Sequence, residues 1–170
     1  MTSVTRGSRP SLKLTATELK RCWIDRLPPP IGQCIESFQV VASRQYFLSG
    51  QLVIGFEDAE RPGVRHHGLL RFKLTASRSL FGTSRRYVIR HFVSAITPKA
   101  VRGRYAAPFL EVVLAWLRDR GFDEVRFQVH SRRRSAAFQR VLRELGYECR
   151  VRNRLIFQII VVALRRDGRW

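Results

Sequence analysis

Cysteine is scarce in this chain of 170 residues: only Cys22, Cys34 and Cys149 occur, far apart in sequence. An odd, widely spaced set excludes a disulfide framework and any paired-cysteine zinc module. Cys149 follows Gly146-Tyr147-Glu148 with no histidine near it in sequence, so it reads as structural. Long apolar runs are also missing. The longest, Leu155–Leu164, spans ten residues and already contains Gln158, well short of the ~18 needed to cross a bilayer. The opening MTSVTRGSRPSLKL has no apolar stretch of the secretory kind. These absences lead to the expectation of an intracellular protein, cytoplasmic or nucleoid-associated, with no membrane partner.

Acidic residues are few as well, 13 Asp and Glu against 32 Lys and Arg, for a formal charge of +19. Lysine itself is rare. Lys13, Lys20, Lys73 and Lys99 are the only four, so the excess is carried by arginine. Guanidinium groups grip phosphate with two parallel hydrogen bonds and stack on bases, whereas ammonium groups act as point charges. The basic residues are spread along the chain rather than gathered in a tail, and a sequence pI near 11.5 makes polyanion affinity the default expectation. Hydrophobic residues at 45% supply a real core and exclude disorder.

The length suits a single domain, read here as residues 11–164 between a flexible N-terminus, 1–10, and a basic C-terminal end, 165–170. Ser11–Leu14 reads as a short strand. Thr15 with Glu18 forms a capping-box signature ahead of a helix through Leu19, Cys22, Trp23 and Leu27, which Pro28-Pro29-Pro30 ends. Ile31, Cys34, Ile35, Phe38, Val41 and Ala42 suggest a second helix. Strands follow at Leu52–Phe56, Leu69–Leu74 and Tyr87–Ile96, with turn chemistry at Glu57–Gly63 and a loop over Ser77–Arg86. Residues 106–120 form the clearest helix, with Pro108 in its first turn and Gly121 as its stop. A strand at Glu124–His130, a helix at Ser135–Leu145 closed by Gly146, and paired strands around Asn153 complete one mixed α/β domain.

One segment concentrates signal for a bound anion. Pro98–Ala107 reads as a basic, Gly- and Ala-containing loop entering a helix, where backbone N–H groups and the helix dipole favour a phosphate. Arg102 and Arg104 would complement a pyrophosphate. Arg102-Gly103-Arg104-Tyr105-Ala106-Ala107, followed by Phe109–Leu117, Arg120–Arg126 and Leu142-Arg143-Glu144-Leu145-Gly146-Tyr147, resembles the general N-acetyltransferase (GNAT) superfamily. The close match covers about sixty residues. The resemblance implies the GNAT acyltransferase fold and acetyl-coenzyme A held at Arg102, Gly103, Arg104, Tyr105, Ala106 and Ala107. Two positions depart from the family pattern: Tyr105 replaces the central glycine of the loop, and Leu142 stands where a tyrosine general acid is frequent. Ser135 replaces a commonly seen asparagine.

Acyl transfer to an amine needs a base, an oxyanion donor and an acid for the leaving thiolate. Candidates for the base are His91, on the strand before the basic segment, Glu57 and Asp58, at the end of the first hairpin strand, and His66 and His67 on the hairpin; as a pair, the histidines lack a third ligand at a metal spacing. Arg132-Arg133-Arg134 directly precedes a helix, where cations oppose the dipole, so a functional anion is expected there. Arg85 and Arg86 precede Tyr87, an interleaving that suits stacking on unpaired bases.

Two readings follow from these residues. The first is a catalytically silent, GNAT-like subunit of a larger RNA- or DNA-containing assembly, binding nucleic acid through Arg85, Arg86, Arg132, Arg133 and Arg134. The alternative is an acetyl-CoA-dependent N-acetyltransferase acting on an amine presented on nucleic acid, such as aminoacyl-tRNA. A weaker third reading is an acetyltransferase for an acidic protein, with the arginines used for docking.

Overall fold

Strict alternation and β-branched residues decide most of this chain. The computed structural model describes residues 10–58, 60–79, 86–96 and 99–164, with backbone alone at 78, 79, 86–96, 99–104 and 106. Its helices are α1 (Ala16–Trp23), α2 (Pro29–Gly32), α3 (Lys99–Asp119) and α4 (Arg132–Glu144). Its strands are β1 (Ile35–Arg44), β2 (Phe47–Glu57), β3 (Arg65–Ser79), β4 (Arg86–Ile96), β5 (Glu124–Val129), β6 (Cys149–Asn153) and β7 (Gln158–Ala163). They form one seven-stranded sheet in the order β1-β2-β3-β4-β5-β7-β6. Every pairing is antiparallel except β4 with β5, which run parallel with α3 as their crossover. This is the mixed α/β class expected from the sequence. The two ends of the chain, 1–9 and 165–170, lie outside the described residues.

One face of the sheet is packed. Leu48, Leu52 and Ile54 on β2, Leu70, Phe72, Leu74 and Ala76 on β3, Val125 and Phe127 on β5, and Ile160 and Val162 on β7 all point into it and are buried. Helices α1 and α3 cover the β1–β4 half. Trp23, fully buried, meets Phe72, Phe109 and Trp116 edge-on with ring centroids 5.0, 5.6 and 5.4 Å apart. Helix α4 covers the other half, with Phe138 packed on Phe127 at 4.7 Å. The alternate residues of β2 and β3, among them Ser49, Gln51, Arg71, Lys73, Thr75 and Ser77, turn to the opposite side.

Four sequence expectations are corrected here. The second helix expected from Ile31 to Ala42 is strand β1, with only Pro29–Gly32 helical. Its aromatic and β-branched residues Phe38 and Val40 pair with β2 instead of stacking along a helix, and Val41 bulges out between them and Ala42. The α-helix itself stops at Trp23 and passes into a 3-10 turn, Ile24–Arg26, which ends just before the prolines, and Pro29 starts α2, where a missing N–H is harmless. Ser11–Leu14 is extended backbone tied to the sheet by Leu12 N–H to Gln45 O at 2.8 Å, rather than a strand. The strands β2 and β3 run much longer than expected, to Phe47–Glu57 and Arg65–Ser79, because long antiparallel ladders tolerate Gly50 and Lys73 alike.

The capping box at α1 is as expected: Glu18 N–H donates to Thr15 Oγ1 at 3.2 Å and Thr15 N–H donates to Glu18 Oε2 at 2.8 Å. That hydrogen bond from Thr15 holds the Glu18 carboxyl below its ordinary value. Among the described residues, no helix is long and apolar enough to cross a membrane.

Candidate functional site

The parallel pair β4/β5 forks. Its rungs run from Val88↔Glu124 to His91↔Phe127 and stop. Beyond that point β4 stays on β3 as far as Ile96↔Leu69, and β5 stays on β7 as far as Val129↔Gln158. The two strands therefore separate at their carboxyl ends, leaving backbone donors and acceptors along both inner edges. In open α/β sheets, ligands settle outside the carboxyl ends of parallel strands. Both crossover helices begin at this end, α3 at Lys99 just after β4 and α4 at Arg132 just after β5.

The basic segment lies inside a helix. The sequence led us to expect a loop over Pro98–Ala107, with Pro108 in the first helical turn; instead α3 starts at Lys99, and Pro108 sits in its interior. Alanines, arginines and Tyr105 all tolerate helix, and the single Gly103 costs only about 1 kcal/mol there. Tyr105 anchors this early part: it is buried at 9% exposure against Ile54, in a small cluster with Ile31, Cys34 and Phe56. Intrahelical bonding takes up the N–H groups from Arg102 through Ala107, and the first-turn amides of Lys99 to Val101 are the ones without a helical acceptor. Pro108 lacks an N–H, so the Arg104 carbonyl has no helical donor.

Two departures from the family pattern fall in packed places. Leu142 is fully buried in the main core, held there by the apolar face of α4. Ser135 is also buried, its Oγ accepting from Gln139 Nε2 at 3.2 Å.

Ser131 caps α4, its Oγ accepting from Arg134 N–H at 3.4 Å. Arg132, Arg133 and Arg134 are all exposed at this N-terminus, and the first turn holds no acid. The dipole disfavours each cation by a few tenths of a kcal/mol, up to about 1. His130 precedes them, exposed, 3.3 Å from Gln128 Nε2 and facing the Phe157 ring at 6.0 Å. The turn Arg154–Phe157 joins β6 to β7 beside it, with Leu155 and Ile156 exposed at its tip.

Among the candidates whose side chains are described, Glu57, Asp58, His66 and His67, no common point is formed. The His91 backbone takes the last rung of the fork, between Leu74 and Phe127. Glu57 ends β2 opposite Arg65, exposed. Next to it, Asp58 accepts from the His66 ring at 2.9 Å, from Glu60 N–H at 2.9 Å and from Arg61 Nε at 3.2 Å. The His66 hydrogen bond, then the Glu60 amide, hold the Asp58 carboxyl down at about 2. His67 turns the other way, to Glu36 at 2.8 Å, with Arg65 on the second oxygen of Glu36 at 2.7 Å. Neighbouring strand residues point to opposite faces, so His66 and His67 share no ligand. Among the described residues, no group of three His, Cys, Asp or Glu is arranged for a metal ion.

Arg86 begins β4, and Arg85 lies outside the described residues. An open depression of about 490 Å³ lies behind α4, lined by Arg143, Gly146, Tyr147, Glu148, Cys149 and Arg150. Sequence reasoning did not single it out.

No protein-family model matches the chain, and no curated protein matches it. Among solved structures, it is similar to a domain from Methanocaldococcus jannaschii DSM 2661, with 14% identity and a TM-score of 0.42 over 89% of this chain and 95% of that one. It is also similar to Arabidopsis thaliana NAA60 in complex with acetyl-CoA, with 14% identity and a TM-score of 0.38 over 69% of this chain and 75% of that one.

Proposed function

We propose that this chain is a basic, GNAT-like domain that binds nucleic acid and does not catalyse acyl transfer. The observation that carries this reading is the early start of α3. In the family pattern the amides of the Arg102–Ala107 segment would cradle a pyrophosphate, and here those from Arg102 onward belong to a helix. The burial of Leu142 where the family often has an acid supports the same conclusion. Meanwhile Arg132, Arg133 and Arg134 remain exposed against an unfavourable dipole, a conflict that a bound phosphate would resolve. The assembly in which such a subunit would act is RNA- or DNA-containing.

The fork between β4 and β5 favours a second reading, an acetyl-CoA-dependent N-acetyltransferase for an amine presented on nucleic acid. The fit of the coenzyme is partial. Lys99 to Val101 retain first-turn amides without a helical acceptor beside the fork, and Arg102 and Arg104 supply charge, but the segment from Arg102 onward is within the helical ladder. Bound there, the coenzyme would supply the acyl thioester. His91 holds the rung nearest that opening, and Glu57 lies at the same end of the sheet.

Calorimetry with acetyl-CoA, using polyphosphate as a charge control, separates the two readings. The first expects no binding beyond the control, together with nanomolar-to-micromolar affinity for a labelled oligonucleotide. Replacing Arg132, Arg133 and Arg134 by glutamine should then weaken oligonucleotide binding and flatten its salt dependence by about 2 in log–log slope for a single strand. Saturable coenzyme binding that polyphosphate cannot displace would overturn the first reading in favour of the second.

A further inference from the structure

Among the described residues, the helices that pack on the sheet do so on one face, and no described helix covers the other, which is basic. A single rung crosses all seven strands of that open face: Arg44 pairs with Phe47, Phe47 with Thr75, Thr75 with Arg90, Arg90 with Arg126, Arg126 with Val161, and Val161 with Arg150. Lys73 and Arg71 follow on β3, two and four residues from Thr75, and Arg152 follows Arg150 on β6. Arg44, Arg71, Lys73, Arg150 and Arg152 are exposed. Of the acids on this face, Glu124 is buried and bound to Arg126 and Glu36 is paired with Arg65 and His67, which leaves the strand centres positive. Phe47 lies half-buried among these side chains with the Lys73 ammonium 5.5 Å from its ring centroid.

We infer that this face of the sheet is a docking surface for single-stranded nucleic acid, additional to the Arg132–Arg134 helix end; the inference rests on the nucleic-acid reading above. Charge complementarity selects a polyanion and works against a second copy of the chain, since two such faces would repel. Among the described apolar residues on the face, Phe47, Val53, Leu69 and Ile159 are half-buried and Val161 is buried. They present a flat surface for bases and no wedge for a bilayer. Neighbouring strands stand ~4.8 Å apart and alternate residues along a strand ~6.8 Å apart, so the cations form a grid that an extended, flexible backbone can follow. An aromatic ring with one face accessible within such a grid is how sheet platforms hold unpaired bases. The face is separate from the Arg132–Arg134 helix end, which projects from the packed side through α4.

Fluorescence anisotropy of a labelled 20-nucleotide poly-uridine strand, with the full chain over a salt series, tests this. A variant with Arg44→Gln, Arg71→Gln and Lys73→Gln should lose at least about tenfold in affinity at moderate salt, and its log–log salt slope should fall by about 2. Phe47→Leu should weaken binding several-fold with the slope unchanged, a signature of stacking rather than charge. The control removes the same charge from exposed helical positions, Arg21→Gln, Arg140→Gln and Arg143→Gln, and should bind almost as wild type. Equal losses in both triple variants would overturn the proposal, because net charge alone would then explain binding. Undiminished binding by the sheet-face variant, with loss in the Arg132–Arg134 variant, would overturn it while preserving the nucleic-acid reading. No binding by the wild-type chain would overturn both. Capture of anionic vesicles through the sheet face, with no oligonucleotide bound, would assign the face to lipid headgroups and likewise overturn the proposal.

Discussion

His91 and Phe127 form the last rung that joins β4 to β5. Up to that rung the two strands behave as interior members of a sheet, and past it each has one edge turned to an opening.

Amide exchange should report the fork directly. The amides in Phe92–Ile96 that point away from β3 should exchange at least about tenfold faster than the bonded ones of Val88–His91, since exchange protection follows local hydrogen bonding. Under the function proposed here, acetyl-CoA leaves this pattern unchanged. Protection of these amides and of Gln128–His130 by acetyl-CoA would be the structural mark of the acetyltransferase reading.

Gly50 is required for packing. A Cβ there would collide with the Gln39 carbonyl oxygen and with the Phe72 ring, on the packed face where β1 crosses β2. Gly50→Ala should therefore destabilise the fold by about 1–3 kcal/mol through overpacking, read as a lower urea midpoint with an unchanged slope. Ser49→Ala, on the opposite face, should stay within about 0.5 kcal/mol of wild type.

The β2–β3 turn should weaken only in strong acid. The folded Asp58 carboxyl titrates near 2, below its ordinary value, so its contribution is complete above about pH 4 and is lost as pH falls through about 2. Carbon-detected titration of the Asp58 carboxyl should show that midpoint. His66→Phe keeps a ring against Phe56, whose centroid lies 5.4 Å from that of His66, but removes the largest cause of the shift. The Asp58 midpoint should move up towards the ordinary carboxylate value, and an unmoved midpoint would assign the shift to the Glu60 amide and Arg61 instead.

The second half of the chain was the more legible in sequence. Val125, Phe127 and Val129 alternate cleanly against polar residues, and Gly121 and Gly146, both with positive φ, punctuate the ends of α3 and α4. Leu70, Phe72 and Leu74 against Arg71 and Lys73 likewise announced a two-faced strand, although not that the outer face would stay uncovered. Ile31–Ala42 misled because apolar residues recurred at helical spacing within a run whose β-branching favours strand, and only pairing with β2 decides between them. The start of α3 was hidden for a related reason. Gly103 reads as loop, and the contact that stabilises helix there, Tyr105 on Ile54, joins residues fifty-one positions apart. Of the candidate site, the fork and the uncovered face are properties of strand pairing and have no local signature.

The two irregularities on β1 have a consequence for the protein's behaviour in concentrated solution. The register slips between Ile35 and Ser37 and again between Val40 and Ala42, so Glu36 and Val41 are extra residues on an outermost strand. Each bulge twists that rim and interrupts its row of unpaired amides. The opposite rim, β6, is five residues long and carries Arg150 and Arg152. Neither border offers an incoming strand a straight template, which works against edge-to-edge growth of the described seven-stranded sheet even though 45% of the chain is hydrophobic.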